Sequence, residues 1–141
     1  MRLGAPVGLP FVRVETSVYR SARAADSAFD ERSGERSAFC AAQAVARTLG
    51  ASKGVIVEPT EMRPERPGRL GDEASAWVTS TRVERDGVAI DLRLERVTLR
   101  VDRVITTLLV ATSPSFPLAE AQRTRLLTGA VTQAVRALGA S

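Results

Sequence analysis

From residue 72 to residue 112 the sequence reads as nearly continuous β-structure, and one dipeptide inside it fixes much of what can follow. Asp86-Gly87 is a strong signal for a two-residue hairpin turn, because both positions tolerate the left-handed backbone that such a turn needs. If the chain reverses there, Arg85 faces Val88, Val83 faces Ile90 and Thr81 faces Leu92, while Arg82 falls opposite Asp91. One face then collects Thr79, Thr81, Val83, Ile90, Leu92 and Leu94. The other collects Ser80, Arg82, Glu84, Asp91, Arg93 and Glu95. A one-residue slip would invert both sets, so this register is well specified.

Beyond Leu94 the apolar positions change parity, to Val97, Leu99 and Val101, which predicts a bulge near Glu95-Arg96. A tight turn near Val101-Asp102-Arg103 leads into a last strand, 104–112, apolar on both parities and so expected to be buried on both faces. Upstream, residues 11–20 alternate loosely and suggest a first strand. Residues 22–49 read as two helical pieces, the first about 24–32. The second is opened by Ser33 as N-cap and stopped before Gly50. In the second piece Phe39, Ala42, Val45, Ala46 and Leu49 share a face at helical spacing, opposite Glu35, Arg36, Gln43 and Arg47. Residues 54–62 form a short strand in which Pro59 suits an edge or a bulge. Residues 63–72 are a polar loop. After the break at Ser113-Pro114-Ser115-Phe116-Pro117 a final helix is expected over about 118–138. Pro117 would lie in its first-turn region and Gly139 at its end. Leu118, Ala121, Leu126, Ala130, Val131, Ala134, Val135 and Leu138 make its apolar stripe, with Arg123, Arg125, Gln133 and Arg136 mostly off it.

The expected fold is α+β: an antiparallel β-meander sheet of four or five strands packed with N- and C-terminal helices, an α/β sandwich. An antiparallel sheet can leave one face wet, so the helices must hide the apolar face. Residues 1–10, with two glycines and two prolines, read as an extended lead-in, and 11–141 as a single domain, a usual length for one.

Composition removes several chemistries. Histidine is absent, which excludes a Ser-His-Asp triad, a Cys-His dyad and a His-based zinc site within one chain. Cys40 is the single cysteine, so no intrachain disulfide can form, and it reads as a small buried hydrophobe. No phosphate-binding glycine loop occurs. Net charge is +4, but acids interleave with the arginines along most of the chain, the pattern of a solvated face rather than a nucleic-acid footprint. No stretch is long and apolar enough to span a bilayer. Any membrane attachment would need an anchor lying outside this chain. No metal ligand set and no cofactor is expected.

Three residues stand out as candidate ligand contacts: Trp77, the single tryptophan, and Arg96 and Arg100, which share one face of a strand. The dull alternatives are a core tryptophan and a solvated, ion-paired arginine face. Arg93 and Arg103 can join that face only from the far side of a bulge. Gly71-Asp72-Glu73 reads as a turn, with Gly71 at positive φ and Asp72 capping backbone amides, rather than as an acid–base pair.

The segment Pro67-Gly68-Arg69-Leu70-Gly71-Asp72-Glu73-Ala74 leads into a strand, and Leu99-Arg100-Val101-Asp102-Arg103-Val104 stands where a related pattern has Arg-Val-Gly-Arg. With a Cys- and Ala-rich helix upstream and an amphipathic helix at the C-terminus, the span from about 18 to 138 resembles actinobacterial exported lipoproteins and the extracellular sensor-type domains of bacterial kinases. The resemblance implies an α/β sandwich at the cell envelope that binds a ligand or partner without catalysis. The expected function is therefore a non-catalytic, sensor-like module for a small amphipathic ligand or a protein partner, with no nucleic acid involved. It would be extracytoplasmic if a signal sequence precedes this chain. The alternative is a cytoplasmic, dimeric interaction or chaperone-like protein, and the chain is expected to be a monomer or a homodimer. An enzyme would have to work with Asp72, Glu73 and Arg100 alone.

Overall fold

The computed structural model describes residues 9–51 and 53–140, the side chains of 59 and 60 excepted, so 1–8 of the expected lead-in lie outside the described residues. These form β1 (Phe11–Val18), α1 (Ala22–Arg32), α2 (Glu35–Gly50), β2 (Val55–Glu65), β3 (Glu73–Arg85), β4 (Val88–Val101), β5 (Val104–Thr112) and α3 (Glu120–Ala140). The strands make one antiparallel sheet in the order β1-β5-β4-β3-β2. The α+β meander is thus as the sequence indicates, with β2 to β5 consecutive and β1 added beside β5.

The hairpin register is also as expected: Arg85 pairs with Val88, Val83 with Ile90, Thr81 with Leu92 and Arg82 with Asp91. Asp86 (φ 52°) and Gly87 (φ 78°) both adopt the left-handed backbone that a type I′ turn requires. Asp102 (φ 52°) opens the β4–β5 turn in the same region. β2 is an edge strand, and its register shifts between Pro59 and Glu61, where a residue without an N–H is least costly. It runs on to Glu65, three residues past its expected end.

The predicted bulge at Glu95-Arg96 does not exist. Pairing of β3 with β4 is continuous from Glu73↔Arg100 to Arg85↔Val88. The change of apolar parity has another cause: helices cover both faces of the sheet, over different parts of β4. Leu92 and Leu94 pack with Ala111 against Val45 and Leu49 of α2. Val97 and Leu99, on the opposite parity, lie with Leu108, Val104 and Val110 against Leu127, Ala130 and Ala134 of α3. Ile105 meets Ala25 and Phe29 of α1 on the α2 side. The molecule is a three-layer sandwich of α1–α2, sheet and α3. Ala130 and Ala134 at the contact let α3 sit close to the sheet.

Several local details differ from the sequence reading. Ser33 closes α1 rather than opening α2: its N–H bonds Phe29 O at 2.8 Å, and Gly34 is the N-cap of α2 without a side-chain bond. Ser21 caps α1 instead, accepting from Ala24 N at 3.1 Å. Gly50 lies inside α2, and the left-handed break falls at Gly54. α3 starts at Glu120, past Pro117. Gln122 Oε1 accepts from Ala119 N at 3.1 Å, and Gly139 is within the helix. Phe39 is 51% exposed and Val135 is exposed as well, so neither belongs to its expected core stripe. Cys40 is exposed, two residues and so about 200° around the helix from buried Ala38, and is not a buried hydrophobe.

Candidate functional site

Glu95 is the least expected residue of the core. On β4 it shares parity with Val97 and Leu99, so the face that α3 covers carries it inward, and 2% of its side chain remains exposed. A buried carboxylate needs partners. Arg123, on the inward stripe of α3 one turn before Leu126 and Leu127, supplies them. Its Nε donates to Glu95 Oε1 and its Nη2 to Oε2, both at 2.9 Å, a bidentate fork. Arg93 Nη2 lies 3.9 Å from Oε2 and donates to Glu65 Oε1 at 3.2 Å. Glu65, at the end of β2, joins the cluster through this Arg93 bond, and its Oε2 lies 3.4 Å from the same Nη2.

The two carboxyls are pushed apart in acidity. Glu65 is raised above its ordinary value by its hydrogen bond to Glu95, by partial burial and by the Glu95 charge. Burial works against ionised Glu95, but hydrogen bonds from Arg123 and Glu65 and the charges of Arg123 and Arg93 outweigh it and hold Glu95 low. Glu65 therefore carries the proton of the pair when one is present, and Glu95 stays ionised. Arg123 is raised in turn by Glu95.

This cluster floors a cleft of about 600 Å³ on the α3 side of the sheet, beyond the N-terminal end of α3. Pro114, Pro117, Leu118 and Val110 give it an apolar wall. Arg66, Asp91 and Glu120 add charge at its rim, so four carboxylates face three guanidiniums. Its size suits a small ligand.

The residues singled out from sequence lie on the opposite face. Trp77 and Arg96 are cross-strand partners, and both hold the α1–α2 junction. Trp77 Nε1 donates to Ser33 O at 2.8 Å, Ser75 Oγ to the same oxygen at 2.9 Å, and Arg96 Nη1 to Arg32 O at 2.7 Å. These bonds satisfy carbonyls that the end of a helix leaves without partners. The gap between α2 and this pair holds about 10 Å³, no more than one water. Burial lowers Arg96, and the nearby Arg32 charge adds to that.

Arg100 is four residues along β4 on the same face. Its Nε donates to Glu73 Oε1 at 3.0 Å, its Nη1 to Asp102 O at 2.8 Å, and Asp72 and Asp26 lie at 3.7 and 3.9 Å. Asp26, Asp30 and Glu73 converge within 4.8 Å, but the Arg100 guanidinium already supplies the positive charge there. Asp72 Oδ2 accepts from Asp102 N at 2.6 Å, and Gly71 (φ 66°) lies so near β4 that a Cβ would come within 2.5 Å of Arg100 O. The turn reading of Gly71-Asp72-Glu73 therefore holds. Arg93, on the other parity, faces the cleft, and Arg103 Nη1 donates to Tyr19 O at 3.2 Å.

Glu65, Glu95 and Arg123 were passed over by sequence reasoning, although a signal for two of them is present. Without a bulge, Glu95 continues the parity of Val97 and Leu99. Arg123 stands three and four residues before Leu126 and Leu127, and so belongs to the inward stripe.

No protein-family model matches the chain, and neither the curated proteins nor the solved structures include one similar to it. No described helix is long and apolar enough to cross a membrane.

Proposed function

We propose that the protein is a non-catalytic, sensor-like binding module and that the α3-side cleft holds its ligand. The observation that carries this reading is the cleft itself: an apolar wall beside a fixed array of carboxylates and guanidiniums, with Glu95 locked by Arg123. Near-balanced fixed charge beside apolar surface favours a small amphipathic ligand with both donor and acceptor groups, a zwitterion or an amide, over a simple anion or cation. Glu65 and Arg93, each partly exposed, are the groups such a ligand would meet.

Binding is favoured over catalysis by the state of the carboxyls. Both oxygens of Glu95 accept from Arg123, so moving a proton through Glu95 means breaking a bidentate pair. A place for the ligand at Trp77 and Arg96 is disfavoured by the absence of room beneath α2. The cell-envelope setting draws on the sequence resemblance alone, and fractionation of the producing cells tests it.

Native mass spectrometry of protein from its own source, followed by amide-shift mapping with a zwitterionic amphiphile and with its purely cationic and anionic counterparts, tests the site. The expected result is a retained small-molecule mass, or shifts centred on Glu65, Arg93 and Leu118 and strongest for the zwitterion. Shifts centred on Trp77 and Arg96 would move the site to the other face and overturn the assignment.

A further inference from the structure

The two edges of the sheet are built differently. β2 carries Pro59, a register shift, Pro64 and the charged residues Glu58, Glu61 and Arg63, the usual protections of an exposed edge. β1 (FVRVETSV) carries none of these devices except one ion pair. Phe11, Val12, Val14 and Val18 are 43%, 36%, 36% and 44% exposed. Among the described residues its backbone is paired on one side only, to β5. Tyr19 N bonds Arg103 O at 2.8 Å, continuing the β1–β5 register, so odd-numbered residues of β1 turn their N–H and C=O toward β5. Val12, Val14, Thr16 and Val18 therefore point theirs outward from the sheet.

We infer that β1 pairs with β1 of a second copy, antiparallel about a two-fold axis at Val14, to make one continuous ten-stranded sheet. The charges choose this register. With Val14 on the axis, Val14 faces Val14, Val12 faces Thr16, and Arg13 of each copy faces Glu15 of the other. Arg13 already contacts Glu15 within its own strand, so the axis would be flanked by an alternating quartet of charges. Slipping the pairing so that Arg13 or Glu15 lies on the axis places like charges directly opposite, which is destabilising. Centring on Val14 also pairs two residues that both offer outward N–H and C=O groups, as a symmetric hydrogen-bonded pair needs. The two-fold keeps each α3 on the same side of the joined sheet, so the cleft in each copy is untouched.

Sedimentation velocity of the full chain across a wide concentration range gives the first test. A reversible shift to twice the monomer mass is expected, and a monomer at every concentration would overturn the proposal. The register is tested by charge exchange. Arg13→Glu alone and Glu15→Arg alone should each weaken association about tenfold or more, by placing like charges opposite one another twice. An equimolar mixture of these two variants should recover it, because every cross-strand pair is then of opposite sign. Circular dichroism of each variant establishes that the monomers are folded. Val14→Pro, which removes an outward N–H that the β1–β5 ladder does not use, should abolish the dimer and leave the fold intact. Dimerisation of either single-charge variant at wild-type strength, or no recovery on mixing, would place the interface elsewhere.

Discussion

The two faces of the sheet are held by different physics. On the α3 side a continuous stripe of Leu and Ala packs onto Val97, Leu99, Val104 and Leu108, and a buried, bidentate ion pair ties helix to sheet. On the α2 side a single residue of the helix, Ala38, is fully buried, and the junction with α1 hangs on hydrogen bonds to two backbone carbonyls. The first arrangement fixes a helix by area and charge together. The second fixes the start of a helix by direction and leaves the rest lightly packed. A cleft with defined electrostatics sits beside the rigid side, where its groups are pre-oriented.

The largest effect is expected at Arg123→Ala. It leaves Glu95 buried with only the more distant Arg93, and breaking such a pair costs about 3–5 kcal/mol. Replacing both Glu95 and Arg123 by Met should recover most of that loss, since a well-packed apolar pair avoids the desolvation penalty. Urea unfolding of the single and double variants measures both. A loss under about 1 kcal/mol for Arg123→Ala would mean that the ion pair is effectively solvated.

On the other face Trp77→Phe removes the indole donor to Ser33 O while keeping the ring. It should cost about 1 kcal/mol, because Ser75 still donates to the same oxygen. Hydrogen exchange should rise first in α2, and exchange rising equally in α3 would erase the contrast between the faces.

The Glu65–Glu95 pair gives a pH signature of smaller size. Glu95, held low, contributes stability that is present above the ordinary carboxyl range near ~4.3 and is lost as pH falls through its depressed value. Glu65, raised, has the opposite sign: its contribution is present in acid and is lost as pH rises through its folded value. Glu65→Gln removes the second charge and keeps a donor for Glu95. The urea midpoint at neutral pH should therefore rise slightly while the acid limb persists. A fall at neutral pH would show that ionised Glu65 is held more by Arg93 than it is opposed by Glu95. The smallest perturbation is alkylation of Cys40, which should proceed in the native protein near the rate of an exposed thiol and leave stability unchanged.

Much of the sheet was legible because hairpin chemistry is local. Asp86-Gly87 set the pairing of Arg85, Val83, Arg82 and Thr81 with Val88, Ile90, Asp91 and Leu92, whereas the pairs beyond Glu95 were hidden by the expected bulge, and Pro59 marked an irregular edge. What failed required knowledge of a distant element. Parity in β4 switches because α2 and α3 cover different halves from opposite sides, a fact that neighbours within β4 cannot reveal. The same gap hid the site: Glu95 looks like one more solvated acid until Arg123, 28 residues away, is placed above it. Trp77 and Arg96 stand out in sequence for their chemistry, and that chemistry is spent on the carbonyls of Ser33 and Arg32. Ser33 suits either helix on sequence alone, and only its bond to Phe29 O assigns it to the end of α1.

The strand order also sets a sequence in time. β2 to β5 are joined by short connections and can zip together as neighbours, whereas β1 must return to β5 across almost the whole chain, from Phe11 to Ala111. Closing a loop of that length costs more entropy than closing the hairpins, so β1 is expected to dock last, and pulse-labelled hydrogen exchange should protect β2 to β5 before β1. Without β1, β5, apolar on both faces, would be the bare edge of the remaining four strands. The newly made chain is therefore most exposed to aggregation and strand exchange just before its last strand docks, and conditions that speed that docking should raise the yield of folded protein.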